Sequence, residues 1–342
     1  MISLKNLLTS KRNSVASAVV IPTAIALVIM LLGMFFPLPI VTFSQLSSNA
    51  SSEIEDGTST NNKVVILIFD RGYKSQFTNA KPLLDNYGYK ATIFTICNWI
   101  ENKKSAMSWE EIETLHKEGY DIQSHGMNHK KLTSLSSDER EFEVGQSKKC
   151  LLDHGINSTI DSAAFNRGDD DPEIIDTIAK YFDFGFLGHS TLMFLHCDGW
   201  EKFGFDKSNY EGQTDCRTYY KDDNDTPTPT NRYSIKEWSQ DREHHRINEK
   251  YPGSSPHGTM ISEILFDKFV EIVNSQTKFN INGEINAIPL ITYHNINEDE
   301  NISTSEELFA KEMKYLHDNG FTVLTVSDLD YNENDNYFFI KE

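Results

Sequence analysis

The sequence has few cysteines and little positive charge, and each shortage excludes a class of protein. Four Cys in 342 residues are too few for a disulfide-rich scaffold or a zinc-ribbon framework. Lys and Arg total 32 against 51 Asp and Glu, which gives a formal net charge of −19. A chain this acidic repels polyanions, so nucleic-acid binding is excluded. An internal repeat of solenoid period is also absent, whereas 21 Phe and 14 Tyr provide ample material for a hydrophobic core.

The N-terminal region lacks charge over a length that predicts a membrane span. No charged residue occurs between positions 13 and 50, and a bilayer core needs about 20 apolar residues in a helix. Residues 14–42 are therefore predicted to form a transmembrane helix. Lys5, Lys11 and Arg12 precede this span, which predicts that the N-terminus is cytoplasmic and that the remainder of the chain lies outside.

Cleavage of the same segment as a secretory signal, near Ala50, is the weaker alternative because a signal-peptide apolar region is only about 7–15 residues long. A Ser-, Thr- and Asn-rich stretch without periodicity follows the span and predicts a linker. The predicted organisation is a cytoplasmic N-terminus (1–13), a transmembrane helix (14–42), a linker (43–62) and one domain (63–342).

The domain alternates apolar strand patterns with helical patterns. The residues 63–69 form a continuous apolar run, which predicts a strand buried on both faces. Alternation with short turns indicates parallel pairing, and about 280 residues suit a (β/α) barrel, with an open sheet as the alternative. Further strands are predicted at 91–96, 121–124, 287–293 and 321–326, and helices at 75–87, 109–117, 137–154, 174–181, 266–275 and 305–319.

Three predicted strand ends carry polar clusters, and in such folds the chemistry lies where strands end. Asp70 and Arg71 follow the first strand, His125 and His129 follow the third, and His294 follows the late one. A single His is more often structural than functional. Two imidazoles four residues apart directly after a strand nevertheless have the spacing of a divalent metal site.

These residues lie in segments that resemble a known family. The chain resembles the polysaccharide deacetylases, the NodB-homology carbohydrate esterases, whose first motif Thr-Phe-Asp-Asp-Gly-Tyr and second motif His-Ser/Thr-x-x-His both have counterparts here. The resemblance covers residues 63–136 well and the remainder loosely. The segments that carry it are Ile68-Phe69-Asp70-Arg71-Gly72-Tyr73, Ala80-Lys81-Pro82-Leu83-Leu84, Gly88-Tyr89-Lys90-Ala91-Thr92-Ile93-Phe94, His125-Gly126-Met127-Asn128-His129 with Lys131-Leu132, and Pro289-Leu290-Ile291-Thr292-Tyr293-His294.

The resemblance implies a distorted (β/α) barrel of the NodB type, here preceded by one transmembrane helix. It implies a hydrolase that removes acetyl groups from N-acetylated polysaccharides, with a divalent metal, usually zinc, as cofactor. Asp70 is implied as general base, His294 as general acid, and His125 and His129 as metal ligands. Amide hydrolysis needs these functions in any case: an activated water, an oxyanion stabiliser and a proton for the leaving amine.

The third family motif, a Pro-aromatic-Gly turn, corresponds to Ala164-Phe165-Asn166 followed by Arg167. The resemblance implies that the backbone N–H at Phe165 helps to bind the oxyanion and that Arg167 shapes the site. His196-Cys197-Asp198-Gly199-Trp200 has two interpretations. Either Asp198 orients the catalytic His and Trp200 walls the acetyl pocket, or Trp200 covers an apolar edge.

The sequence departs from the family at positions that affect chemistry. The family's metal-ligand Asp is replaced by Arg71, and a guanidinium cannot ligate a metal. Gly126 replaces a Ser or Thr, and the turn Pro and Gly become Ala164 and Asn166. We therefore expect low metal occupancy, unless an acid among residues 169–171 replaces the lost ligand. The alternative function is a non-catalytic deacetylase fold that binds surface glycans or acts as a scaffold.

The cysteines allow a disulfide if the domain lies outside the membrane. Cys197 and Cys216 enclose a short loop in one irregular segment and are the predicted pair. Cys97 at a strand end and Cys150 on a helix are left open, since buried thiols suit both positions.

Overall fold

Seven parallel strands close into a ring, and the residues that carry the polar clusters follow these strands. The computed structural model describes residues 62–162, 171–195, 218–221, 227–230, 232–233, 235–243, 247, 259–297, 302–332 and 337–342. The described residues fall within one compact unit that begins at Thr58. The ring strands are β1 (Val64–Phe69), β2 (Thr92–Thr95), β3 (Asp121–Ser124), β4 (Ile160–Asp161), β5 (Phe184–His189), β6 (Ile235–Ser239) and β7 (Leu290–Tyr293).

The pairing of these strands confirms the predicted barrel. Each of β1 to β6 pairs in parallel with the next strand, and β7 returns to pair in parallel with β1. The register of the closing pair aligns Phe69 with Tyr293, so the carboxyl ends of β1 and β7 lie side by side. An eighth strand, β8 (Thr322–Leu324), pairs in parallel with the first half of β1.

Strand β1 is buried along its whole length, as its apolar run predicts. Val65, Leu67 and Phe69 belong to a cluster that includes side chains of the surrounding helices. The alternate residues of the strand pack instead with side chains from the other barrel strands, among them Phe94 and Phe186. Because successive strand residues point to opposite faces, one face of β1 fills the barrel interior and the other supports the helices.

Helices flank the barrel where the sequence predicts them; most bounds shift by one or two residues, but the helix predicted at 266–275 begins at Thr259. Ser108 and Ser136 each form a capping box with the Glu three residues later, which satisfies backbone N–H groups at the helix start. The predicted helix at 75–87 is a π-helical turn, Gln76–Ala80, followed by an α-helix. The α-helices are α1 (Lys81–Asn86), α2 (Trp109–Lys117), α3 (Ser137–Asp153), α4 (Pro172–Ala179), α5 (Thr259–Ser275) and α6 (Glu306–Asp318).

Three barrel strands, β4, β5 and β6, were not predicted from the sequence. Strand β4 has only two residues, and Lys236 and Glu237 interrupt the apolar pattern of β6. The predicted strand at 287–293 is divided into Ala287–Ile288, which pairs with Met193–Phe194, and β7. The other short strand pairs are Asn295–Ile296 with Ser303–Thr304, Leu329–Asn332 with Tyr337–Ile340, and Thr218–Lys221 with Pro227–Thr230.

The predictions for the N-terminal segment and for the cysteines have different outcomes. The predicted cytoplasmic segment, transmembrane helix and nearly all of the linker lie outside the described residues, and no described helix has the length and apolarity to cross a bilayer. Cys97 and Cys150, which the sequence left open, form a disulfide with their Cα atoms 6.5 Å apart. Cys197 and Cys216 lie outside the described residues.

Candidate active site

The carboxyl ends of β1, β3 and β7 bring Asp70, His125 and His294 together. All three side chains are fully buried. Oδ1 of Asp70 lies 3.9 Å from Nδ1 of His125, and Oδ2 of Asp70 lies 3.6 Å from Nε2 of His294. Gln76 connects two of these strand ends, because its side-chain amide donates to the carbonyl oxygens of Asp70 (2.6 Å) and His294 (2.9 Å).

The Asp70 carboxyl is buried, and no residue in the described part of the chain donates a hydrogen bond to either of its oxygens. Burial raises the pKa of this carboxyl, while the nearby charges of His294, Arg71 and Arg242 lower it, and the net shift is upward. A carboxylate that lacks hydrogen bonds and has a raised pKa is more basic than an exposed one, which is the property required of a general base.

Asp241 holds His294 in one orientation. The backbone N–H of His294 donates to Oδ2 of Asp241 at 2.5 Å, and Nδ1 of His294 lies 3.0 Å from Oδ1. Burial raises the pKa of the Asp241 carboxyl, but the His294 imidazole and these hydrogen bonds outweigh it, so the pKa is lowered. Asp241 is therefore an ionised acceptor, which assigns the Nδ1 proton to His294 and leaves Nε2 facing Asp70.

Arg242 contacts the same imidazole from the other side. Its Nη2 lies 3.3 Å from Nε2 of His294, and a guanidinium can only donate hydrogen bonds. In this arrangement Nε2 of His294 is the acceptor. Burial lowers the pKa of the Arg242 guanidinium, and the neighbouring charge of Arg71 lowers it further.

The loop after β3 carries the two predicted metal ligands, His125 and His129. Their rings are stacked with centroids 5.1 Å apart, and Nδ1 of His125 contacts the hydroxyl of Ser162. His129 has a φ of 60°, a left-handed conformation that non-glycine residues seldom adopt. The Glu143 carboxylate of α3 supports this turn by accepting backbone N–H bonds from Asn128 (2.5 Å) and Lys130 (3.1 Å).

Arg71 occupies the position of the family's metal-ligand Asp. Its φ is 73°, and its Nη1 lies 3.3 Å from the Tyr73 hydroxyl. Within the part of the chain that the structure describes, no group of three or more His, Cys, Asp or Glu side chains is placed to hold a metal ion. A catalytic zinc usually has three protein ligands, so the two imidazoles and the guanidinium of the described site do not fit that requirement.

Several predicted site residues cannot be compared with the structure. Phe165, Arg167, Asp198 and Trp200 lie outside the described residues, as do Asp169 and Asp170. The carboxylate of Asp171 accepts the backbone N–H of Glu173 at 3.0 Å and caps α4.

Three residues of this site were not predicted from the sequence: Asp241, Arg242 and Glu237. Asp241 orients His294, a role for which the resemblance offered Asp198, and Arg242 contacts the same imidazole. Glu237 of β6 is buried, and no described residue donates a hydrogen bond to its Oε2. Burial and the charge of Asp70 raise the pKa of Glu237 well above its usual value. The available signal was the polar sequence Ser239-Gln240-Asp241-Arg242 after Trp238, but it follows a strand that was itself not predicted.

Comparison with known proteins places part of the chain in a family. Residues 57–181 match a family model described as polysaccharide deacetylase. These residues belong to the polysaccharide deacetylase family. The matched part of the domain contains Asp70, Arg71, His125 and His129, so the family resemblance predicted from the motifs is confirmed.

Individual relatives of the deacetylase domain are distant or partial. YxkH of Bacillus subtilis strain 168, whose assignment as a polysaccharide deacetylase is provisional, is 36% identical over 87 residues, which are 25% of this chain and 31% of YxkH. The match therefore spans about a third of that relative. Peptidoglycan deacetylase PdaC from Bacillus subtilis is 17% identical over 78% of this chain and 90% of PdaC, with a TM-score of 0.42. The Streptococcus pyogenes deacetylase PplD, solved with acetate, is 24% identical over 37% of this chain and 57% of PplD, with a TM-score of 0.35.

Proposed function

We propose that this protein is a hydrolase that cleaves the carbon–nitrogen amide bond of N-acetylated sugars in a polysaccharide and releases acetate. The observation that carries the proposal is the buried series Asp70, His294, Asp241, in which Oδ2 of Asp70 lies 3.6 Å from Nε2 of His294 and Asp241 holds Nδ1 at 3.0 Å. A base, a proton donor and a group that orients the donor are thus adjacent, as acid–base catalysis of amide hydrolysis requires.

In the proposed reaction Asp70 removes a proton from a water molecule, and the oxygen of that water attacks the acetyl carbon. His294 delivers a proton from Nε2 to the sugar nitrogen, the carbon–nitrogen bond breaks, and acetate and a free amine result. Because Nε2 faces Arg242 as an acceptor at 3.3 Å, His294 must first gain this proton, and Asp70 is the adjacent group that can supply it. The predicted backbone N–H at Phe165 remains our candidate donor to the oxyanion.

We propose that a divalent metal binds this site only weakly. His125 and His129 supply two imidazoles, and burial together with nearby positive charge lowers the pKa of His129 to about 4, so its ring is neutral and has a lone pair at pH 7. Since the third ligand is replaced by Arg71, we expect a divalent metal, most readily zinc, to bind these residues at low occupancy, and no step above depends on it.

We further propose that the domain acts outside the cell membrane and is anchored by residues 14–42. The uncharged stretch between positions 13 and 50 and the cations before it support this topology. The disulfide between Cys97 and Cys150 also supports it, because structural disulfides persist in oxidising compartments and are rare in the cytosol.

Acetate release from N-acetylglucosamine oligomers tests the proposed reaction. We expect turnover that Asp70→Asn and His294→Gln each lower by about 10²- to 10⁴-fold. Asp153→Asn, which changes an exposed Asp at the end of α3, is the matched control and should retain full turnover. If the purified domain binds these oligomers but releases no acetate, the non-catalytic glycan-binding alternative is correct.

A further inference from the structure

The residues that precede Asp70, Asp241 and His294 point away from the site. Successive residues of a strand face opposite sides of a sheet, so a strand end that directs one side chain into the site directs the preceding one outward, toward the helices. Phe69, which precedes Asp70, and Tyr293, which precedes His294, both belong to the cluster that contains helix side chains. The surface behind the site is therefore formed by these preceding residues and by the helix packed against them.

Helix α6 packs on this surface. The ring centroid of its Phe309 lies 5.1 Å from that of Tyr293 and 5.8 Å from that of Phe69. Glu312 follows about one turn later on the same helix and is fully buried. Burial of a carboxyl costs free energy unless the group is hydrogen-bonded, so the partners of Glu312 indicate what this position supports.

The two oxygens of Glu312 each bond a residue that precedes a member of the pair formed by His294 and Asp241. Oε2 accepts the Tyr293 hydroxyl at 2.8 Å, and Tyr293 directly precedes His294. Oε1 accepts the side-chain amide of Gln240, and Gln240 directly precedes Asp241. Burial raises the pKa of Glu312 to about 8, so the carboxyl is neutral at pH 7 and adds no charge beside Asp241. The carboxyl therefore joins the ends of β6 and β7 at the points where the imidazole and its orienting carboxylate are attached.

Gln240 is held at both ends of its side-chain amide. Its carbonyl oxygen accepts the Thr304 hydroxyl at 3.1 Å, while its amide nitrogen donates to Glu312. The backbone N–H of Gln240 donates to the carbonyl oxygen of Thr292 in β7 at 3.0 Å. The chain that leads into Asp241 is thus held from three sides, although Asp241 itself lies in a turn after β6.

We propose that Glu312 is a positioning residue for the proposed reaction, and that its two hydrogen bonds keep Asp241 and His294 in the arrangement that turns Nε2 of the imidazole toward Asp70. The distances that depend on this arrangement are 3.0 Å from Oδ1 of Asp241 to Nδ1 of His294 and 3.6 Å from Nε2 to Oδ2 of Asp70. A displacement of about 1 Å in such a group can reduce turnover about 10²-fold. Glu312 acts through the two residues that it bonds. This inference rests on the proposed function and adds a residue behind its site.

The kinetics of acetate release from N-acetylglucosamine oligomers at pH 7 test this role. We expect Glu312→Leu to lower kcat about 10²-fold and to change KM by less than about twofold, because the hydrogen bonds behind the site are lost while the contacts to substrate are kept. Glu312→Gln should retain kcat within about twofold, since its amide can accept a hydrogen bond from Gln240 and donate one to Tyr293. Tyr293→Phe removes one of the two hydrogen bonds, and its kcat should lie between these values.

A matched variant separates loss of position from loss of packing. Leu316→Ala, about one turn later on α6, removes a fully buried apolar side chain and leaves both hydrogen bonds of Glu312 in place. It should lower the unfolding midpoint but leave kcat unchanged at a temperature at which circular dichroism shows every variant to be folded. An unchanged kcat in Glu312→Leu, or an equal loss of kcat in Leu316→Ala, would overturn the inference. Should Glu312→Leu not fold, Tyr293→Phe decides: a lowered kcat supports the inference and an unchanged kcat overturns it.

Failure of the proposed function gives a different result. If the unaltered protein releases no acetate, the proposed hydrolysis is wrong, and proton NMR of the full-length protein still tests how His294 is held. The Nδ1 proton that bonds Asp241 gives a far-downfield signal, which is assigned by its absence in His294→Gln. Glu312→Leu should lose or shift this signal, whereas Glu312→Gln and Leu316→Ala should keep it. The inference is rejected if Glu312→Leu and the unaltered protein give the same signal, or if the unaltered protein gives none.

Discussion

Arg71 is one residue away from the proposed base, and it sets the electrostatics of the site. Two unit charges of a metal ion about 5 Å from one guanidinium charge repel it by ~7 kcal/mol at an effective dielectric constant of about 20, before screening. Two imidazoles alone do not offset such a repulsion, since zinc sites generally use three or four protein ligands. Arg71 therefore disfavours a metal ion beside His125 and His129.

Replacing Arg71 with Asp should restore metal binding. The change removes one positive charge and adds a carboxylate beside His125 and His129. Asp is among the residues that best tolerate a left-handed backbone, such as the φ of 73° at this position. We expect metal in the purified protein, measured by elemental analysis, to rise from well below one to about one ion per chain, and deacetylation of N-acetylglucosamine oligomers to rise with it.

A second substitution separates metal binding from chemistry in that variant. Asp70→Asn in the Arg71→Asp background should keep the metal and abolish turnover, because Asp70 is assigned as base and not as ligand. Full zinc occupancy in the unaltered protein would contradict the low occupancy that we expect from Arg71. An acid outside the described residues would then complete the metal site.

At the scale of elements, the disulfide joins the turn after β2 to α3, and both contact the histidine loop. The backbone N–H of Cys97 donates to the carbonyl of Gly126 at 3.2 Å, and that of Asn98 donates to Met127 at 3.0 Å. From the other side, Glu143 of α3 accepts backbone N–H bonds of the same loop. The crosslink between Cys97 and Cys150 therefore clamps the loop that carries His125 and His129.

Removing this disulfide should lower stability substantially. The bridge closes a loop of 53 residues, for which the chain-entropy model gives about 4 kcal/mol. We expect the double variant Cys97→Ser/Cys150→Ser to lose about that much free energy of unfolding, measured by denaturant titration. The free energy of unfolding of the double variant Cys197→Ser/Cys216→Ser, measured in the same way, is the comparison. Alkylation of Cys97 in a non-reduced peptide map would show that the bridge does not form.

Helix α6 carries a buried carboxyl, Glu312, that contacts barrel strand β7. Glu312 accepts hydrogen bonds from the Tyr293 hydroxyl of β7 (2.8 Å) and from the side-chain amide of Gln240. Burial raises its pKa from 4.5 to about 8. Between these two pH values the native protein holds a proton that the unfolded chain has lost, so this contribution to stability is complete below about pH 4.5 and declines as pH rises toward 8.

Glu312→Gln should remove this pH dependence. The amide keeps the size and hydrogen-bonding capacity of the neutral acid but cannot ionise. We expect the variant and the unaltered protein to have similar unfolding midpoints near pH 5, and the variant to be more stable by a few kcal/mol near pH 8.5, where the carboxyl ionises. The exposed Glu307→Gln on the same helix should show no such gain. If the free energies of unfolding of Glu312→Gln and of the unaltered protein change with pH in the same way, the raised pKa of Glu312 is contradicted.

At the scale of the whole molecule, the charge distribution predicts a topology. The chain has an uncharged stretch preceded by Lys5, Lys11 and Arg12, followed by a domain rich in acidic residues. Cations before a span favour the cytoplasmic side, so residues 63–342 are predicted to face outward. Protease added to intact cells should degrade this domain while a cytosolic marker stays intact. Complete protection, with a cytoplasmic reporter active at the C-terminus, would reverse the predicted orientation.

The sequence by itself determined the elements around Asp70, His125 and His294. The apolar run of β1 and the helical patterns of α2 and α3 are local signals, and these three elements were predicted with their bounds nearly correct. Parallel strands present their carboxyl ends at one edge, so polar residues directly after three such strands were expected to meet. The family motifs lie in the same segments, which is why Asp70, His294 and the pair His125 and His129 could be named as candidates from the sequence alone.

Only the tertiary structure decided how those residues are held. Asp241 reaches His294 across 53 residues of sequence because β6 and β7 pair in the barrel. Strand β6 carries Lys236 and Glu237 in its middle, so it has no periodic signal. The bond between Cys97 and Cys150 likewise depends on where α3 packs against the turn after β2. Contacts of this kind depend on barrel closure, which is a property of the whole chain and leaves no local pattern in it.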